Sequence, residues 1–181
     1  AYTLTLSIPT ANVYYEAAAF EDALAVWDPN AGFATGGGMF VLGGDRVSFG
    51  FSYTISGSKL RSGFVAVRHM ANGGVCRVKS SNQMNAAAVS GKTATLSGRG
   101  NYSCSDAAGN PVPGQSQGNI TIAAYAEDNS TSGIGFDKFW VSNAAAVTPN
   151  YLQMPASGGA AANAVLLTGG NVQVPQPQGR R

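Results

Sequence analysis

Hydrophobic and polar residues alternate with a period of two along most of this chain. Segments such as Met39-Phe40-Val41-Leu42, Val47-Ser48-Phe49-Gly50-Phe51-Ser52-Tyr53 and Gly63-Phe64-Val65-Ala66-Val67-Arg68 carry the pattern. A β-strand points successive side chains to opposite faces, so each segment buries one face and leaves the other wet. The pattern predicts strands near 37–43, 46–55, 62–69, 74–80, 84–90, 92–98, 100–105, 118–126, 135–142, 164–168 and 171–175. Glycine-containing turns separate them, at Gly43-Gly44-Asp45, Ser56-Gly57-Ser58, Asn72-Gly73-Gly74, Ser90-Gly91-Lys92, Gly98-Arg99-Gly100 and Gly169-Gly170-Asn171, because glycine supplies the positive φ of tight hairpins. Turn signals about 8–12 residues apart predict an all-β antiparallel sandwich with jelly-roll or Greek-key connections. Two longer loops interrupt the strands, at 106–117 and 143–163. Loops on a rigid β scaffold are where binding tends to reside.

The N-terminal third reads differently. Leu4, Leu6 and Ile8 alternate with Thr3, Thr5 and Ser7 until Pro9, which cannot donate to a ladder. This is a strand, either an edge of the chain's own sheet or an arm that pairs with a neighbouring subunit. Residues 14–27 are rich in helix formers, and Phe20, Leu24 and Trp27 fall at helical spacing. They predict one short helix, stopped by Asp28-Pro29. The chain thus divides into an N-terminal arm and helix (1–35), a β-sandwich domain (36–175) and a Pro/Gln tail (176–181) that favours extended polyproline-like geometry.

Charged residues make up only 11% of the 181 residues, with a net charge of +2, against about a quarter in an ordinary globular chain. The few Arg and Lys form no basic stripe, which argues against nucleic acid. The longest apolar runs fall short of the roughly 20 residues of a membrane helix. A chain beginning at Ala1 without Met suggests either signal-peptide removal or an N-terminus trimmed in some other way; the first reading predicts a protein outside the cell or on its surface. Cys76 and Cys104 both sit in strand-like contexts. In a secreted chain they are read as a disulfide worth roughly 3–4 kcal/mol, and otherwise as two buried thiols.

The order of several motifs resembles the post-COAP type domain, a small extracellular β-domain family of prokaryotes. The motifs are Gly36-Gly37-Gly38-Met39-Phe40, Phe49-Gly50-Phe51, the central Ala94-Thr95-Leu96-Ser97-Gly98-Arg99-Gly100-Asn101-Tyr102, Gly135-Phe136-Asp137-Lys138-Phe139-Trp140-Val141 and the closing Leu167-Thr168-Gly169-Gly170-Asn171. The resemblance spans 36–174 and implies an extracellular all-β module with no catalytic residues to transfer. Where that family tends to close with a histidine, this chain has Gln173-Val174-Pro175.

Chemistry is sparse. One histidine and nine carboxylates form no nucleophile–base motif and no zinc signature. Glu127-Asp128 reads as a solvated turn. Asp45, Asp128 and Asp137 lack the spacing of a calcium loop, so neither a metal nor a cofactor is expected. Trp140 and Tyr151 are the candidate ligand aromatics, for stacking on glycans. Alternation gives Phe139 and Trp140 another reading, one in the core and one under a loop. The expectation is a secreted, non-catalytic structural protein, a homopolymer subunit of a filament, sheath or surface layer. It would assemble by β-strand augmentation, with Leu4, Leu6 and Ile8 setting register on the neighbour. The alternative is a monomeric adhesion or carbohydrate-binding module using the two long loops.

Overall fold

The computed structural model describes residues 2–7, 19–24, 34–56, 59–81, 84 and 86–174. The chain is almost entirely antiparallel β. Strands β1 (Tyr2–Ser7) and β2 (Ala19–Leu24) pair with each other alone, as a two-stranded sheet. The body is one ten-stranded sheet. It contains β3 (Thr35–Leu42), β4 (Asp45–Ser56), β5 (Lys59–His69), β6 (Val75–Ser80), β7 (Ala86–Ser90), β8 (Thr93–Ser105), β9 (Pro111–Glu127), β10 (Lys138–Asn143), β11 (Val165–Leu166) and β12 (Gly169–Gln173). A single helical turn, α1 (Ala160–Asn163), precedes β11.

The strands run largely as a meander, in the order β11-β10-β9-β8-β6-β5-β4-β3-β12, with β7 paired to β8 off this path. The ten strands form one antiparallel sheet that curls into a half-barrel. Its two ends come together at one segment: Val165 and Leu166 pair with β10, and only two residues later Gly169–Gln173 pair with β3. Curling also explains the core. Phe139 on β10 stacks on Phe49 of β4 with centroids 3.7 Å apart and planes 11° apart, although five places separate those strands in the sheet order. Phe40, Phe51 and Phe64 surround this pair.

Alternation accounts for the long strands. In β8 the buried residues are Ala94, Leu96, Gly98, Gly100, Tyr102 and Cys104, with exposed Thr95, Arg99 and Asn101 between them. Gly98-Arg99-Gly100 is therefore no turn; β8 runs through it, with a register shift between Gly100 and Tyr102. A Cβ on Gly100 would lie 2.6 Å from the Lys79 carbonyl oxygen, so glycine here serves close strand approach and not reversal. Residues 111–117, expected as loop, belong to β9; the reversal is confined to Asp106–Asn110, where the Asp106 carboxylate accepts the backbone N–H of Ala108 and Asn110. Gly169-Gly170-Asn171 is likewise strand, closing the sheet against β3. A Cβ on Gly170 (φ 87°) would fall 2.2 Å from the Gly37 oxygen.

The helix expected over 14–27 is contradicted at 19–24, which is β2. There pairing with β1, from Tyr2↔Leu24 to Ser7↔Ala19, overrides the helical preference of alanine and glutamate, a preference small enough for tertiary context to reverse. The remainder of that span, Ile8 of the arm and the tail 176–181 lie outside the described residues. No helix among the described residues is long and apolar enough to cross a membrane.

Candidate functional site

Cys76 and Cys104 form a disulfide, directly opposite each other across β6 and β8. Beside it lies a buried polar hub. The Tyr102 hydroxyl donates to Gln115 Oε1 at 3.1 Å and accepts the Tyr151 N–H at 3.3 Å, while Gln115 Nε2 donates to the Thr148 carbonyl. Burial pushes the Tyr102 phenol above its ordinary pKa, which keeps it protonated and able to donate. Arg68 reaches the same loop from β5. It pairs with Asp45 at 2.7 Å, donates to the Tyr151 carbonyl at 2.6 Å and lies 5.8 Å from the Tyr151 ring centre.

The 143–163 loop is thereby bound down. Leu152 and Met154 are buried beneath it, and the Asn143 and Asn150 side-chain amides hydrogen-bond each other reciprocally. Trp140 is 7% exposed, with its indole N–H donating to the Pro155 carbonyl at 2.8 Å. Phe139 fills the core and Trp140 packs under the loop. Tyr151 is half-buried. The two candidate ligand aromatics are thus separately engaged within the chain and form no common exposed platform.

Asp137 is fully buried. Its carboxylate accepts the N–H of Asn129 (2.9 Å), Ser130 (3.1 Å) and Val172 (2.8 Å). Asp128 accepts the N–H of Val174 at 2.9 Å. Both carboxylates thus serve backbone donors, and among the described residues no group of three His, Cys, Asp or Glu is placed to hold a metal ion. A shallow cavity of about 260 Å³ lies alongside, lined by Asp128, Thr131, Asn171, Val172, Gln173 and Val174.

Those two aspartates close a strand edge, and strand edges are the feature that differs most from place to place in this molecule. An unpaired edge is a template for another chain unless charge, proline or cover blunts it. At the seam, Asp137 and Asp128 take up N–H groups of β12 and of the residue after it. The N-terminal half of β5, paired only with β4 among described strands, carries Lys59 and Arg61. Likewise β2 carries Glu21 and Asp22. By contrast, β7 (AAAVS) and β1 (YTLTLS) hold neither charge nor proline, and each pairs on one side only among the described strands. Ala88, Val89 and Ser90 are exposed, Val89 to 40%.

No protein-family model, curated protein or solved structure matches this chain.

Proposed function

We propose that the chain is a secreted, non-catalytic structural subunit that assembles with copies of itself into an extracellular filament, sheath or surface layer by β-strand augmentation. The observation that carries this reading is the N-terminal hairpin: β1 belongs to a two-stranded sheet separate from the ten-stranded body, and its second edge is uncharged. Main-chain hydrogen bonds along such an edge give strength, and alternate side chains give register. The disulfide suits an oxidising compartment, and the motif order that resembles the post-COAP type domain suits an extracellular setting. A charge-poor chain (11% charged) has few ions to desolvate on contact with its neighbours. The adhesion or glycan-binding alternative has less support, because Trp140 and Tyr151 are taken up in packing.

Negative-stain electron microscopy of the purified chain, beside the same chain without residues 1–10, tests the proposal. Filaments or sheets are expected from the first, and from the second only monomers or irregular aggregates without ordered assembly. Monomers from both would overturn it and direct attention to glycan screens.

A further inference from the structure

We infer that the hairpin of β1 and β2 is exchanged between copies: it leaves the outer face of its own β3, β4 and β5 and seats on the same face of a second copy. The inference rests on the assembly reading above and adds the surface that receives the arm. In the register of the body, Gly37 of β3, Gly50 of β4 and Val65 of β5 lie side by side, as do Met39, Ser48 and Val67. All six point away from the phenylalanine core, because their chain neighbours Phe40, Phe49, Phe51, Phe64 and Ala66 fill it. Ser48, Gly50, Val65 and Val67 are buried all the same. Glycine inside a strand admits close approach by another backbone, so Gly37 and Gly50 form a shallow trough beside the two valines. Against this region lies the hairpin, β2 on β3, β4 and β5, and β1 on β5. The trough therefore fits a known occupant, and every copy carries both halves of the fit.

Three features favour exchange over permanent closure. The hairpin strands share no ladder with the ten-stranded sheet, so lifting them breaks none of that sheet's pairing. Ser48 Oγ is buried on this face without a hydrogen-bond partner, and lifting the cover returns it to water. A two-stranded hairpin is marginal alone, so a lifted hairpin needs a seat, its own or a neighbour's. Residues 25–33 join Leu24 to Ala34, and a segment of that length spans at most roughly 30–35 Å, enough to reach the face of an abutting copy. Closed and exchanged forms make the same contact, so concentration decides between them. The donor hairpin and the acceptor face are different surfaces of one chain. Such a contact is head-to-tail and propagates as a filament when the rotation between subunits does not close. Seating uses the hairpin's face and leaves the β1 edge available for strand pairing.

Mixed-isotope cross-linking of the full chain tests the exchange. Natural-abundance chain and chain labelled throughout with heavy nitrogen are mixed while dilute and carry a photoreactive diazirine on their lysine amines. Lys79 is the informative one, being exposed and directly across from Val65. Cross-links from Lys79 to residues 1–24 should join only like masses in the dilute sample. On assembly, unlike masses should appear through the same residue pairs. Gly50→Val and Gly37→Val, which fill the trough, should each lose the unlike-mass links together with ordered assembly; should either variant misfold, the links of the parent decide. Filaments whose links join like masses only would show each hairpin staying on its own body. They would overturn the exchange and leave the assembly reading in place. Unlike-mass links confined to other residue pairs, or no link from Lys79 to 1–24 at all, would overturn it too. Unlike-mass links through the same pairs in a closed dimer would support the exchange and remove the filament reading. No association at any concentration would remove both.

Discussion

At the scale of single residues, the chain uses its few carboxylates to satisfy backbone donors that the sheet leaves over. Asp137 is the clearest case, with three N–H groups on one buried carboxylate. Asp137→Ala strands those donors, and charge-assisted hydrogen bonds of this kind cost enough to predict a loss of about 3–5 kcal/mol in denaturant unfolding. Asp137→Asn should recover only part of it, since one oxygen becomes a donor facing another donor; full recovery would show that the charge is immaterial. Asp106 makes a pH prediction. The N–H of Asn110, then its side-chain amide, and then Ala108 and Gly109 hold the Asp106 carboxyl below its ordinary pKa. A depressed folded-state pKa gives stability that is present above the unfolded value, near 4, and lost as pH falls through the folded value. The difference in thermal midpoint between the parent and Asp106→Asn should therefore be steady at neutral pH and shrink below about pH 4. A gap that widens in acid would contradict the hydrogen bonds drawn here. None of this was legible beforehand: Asp137 and Val172 are 35 residues apart, and alternation carries no information about which carboxylate meets which amide.

At the scale of elements, the period-two signal was faithful wherever burial on one face decided the structure. The hairpins at Gly43-Gly44, Asn72-Gly73 and Gly91-Lys92 sit where the glycines place them. It failed where glycine had another task. Gly100 and Gly170 lie within strands because neighbouring backbone or side chains come too close for a Cβ, and glycine for close approach looks the same in sequence as glycine for a turn. The segment 19–24 failed for a different reason: helix propensity is local, whereas its partner strand is supplied from residues 2–7. The cysteine pair was legible as a disulfide but not in its register. Cys76 lies directly across from Cys104 on adjacent strands, so the bond staples the middle of the sheet and leaves the ends alone. Replacing both by alanine should lower unfolding stability by roughly 3–4 kcal/mol in the chain-entropy account, measured by denaturant titration, while the circular dichroism of the folded protein stays β-type. A loss below about 1 kcal/mol would mean that the Tyr102 and Gln115 hub holds β8 in place unaided.

At the scale of the whole molecule, what no strand-by-strand reading could supply is that one sheet curls until β4 and β10 stack phenylalanines across its hollow. Curling makes an inside and an outside, and the outside of β5 is not bare. Phe64 and Ala66 join the core, so Val65 and Val67 point to the opposite face, yet both are 0% exposed and neither belongs to the core cluster. On the partner strand, Ser48 and Gly50 are buried on that same face. The described elements that lie against β5 from outside the ten-stranded sheet are β1 and β2. A two-stranded hairpin is marginal alone, and an uncovered valine pair invites association; each mends the other's deficiency. Removing residues 1–33 should therefore leave the disulfide and the aromatic core intact but uncover this face, raising binding of a hydrophobic dye and causing irregular aggregation. Adding Val65→Thr and Val67→Thr to the shortened chain should suppress both effects. If the shortened chain binds no more dye than the parent, the hairpin is not the cover. The arm would then be held by its linker alone, and its reach toward a neighbour would be limited by chain length and not by competition with its own body.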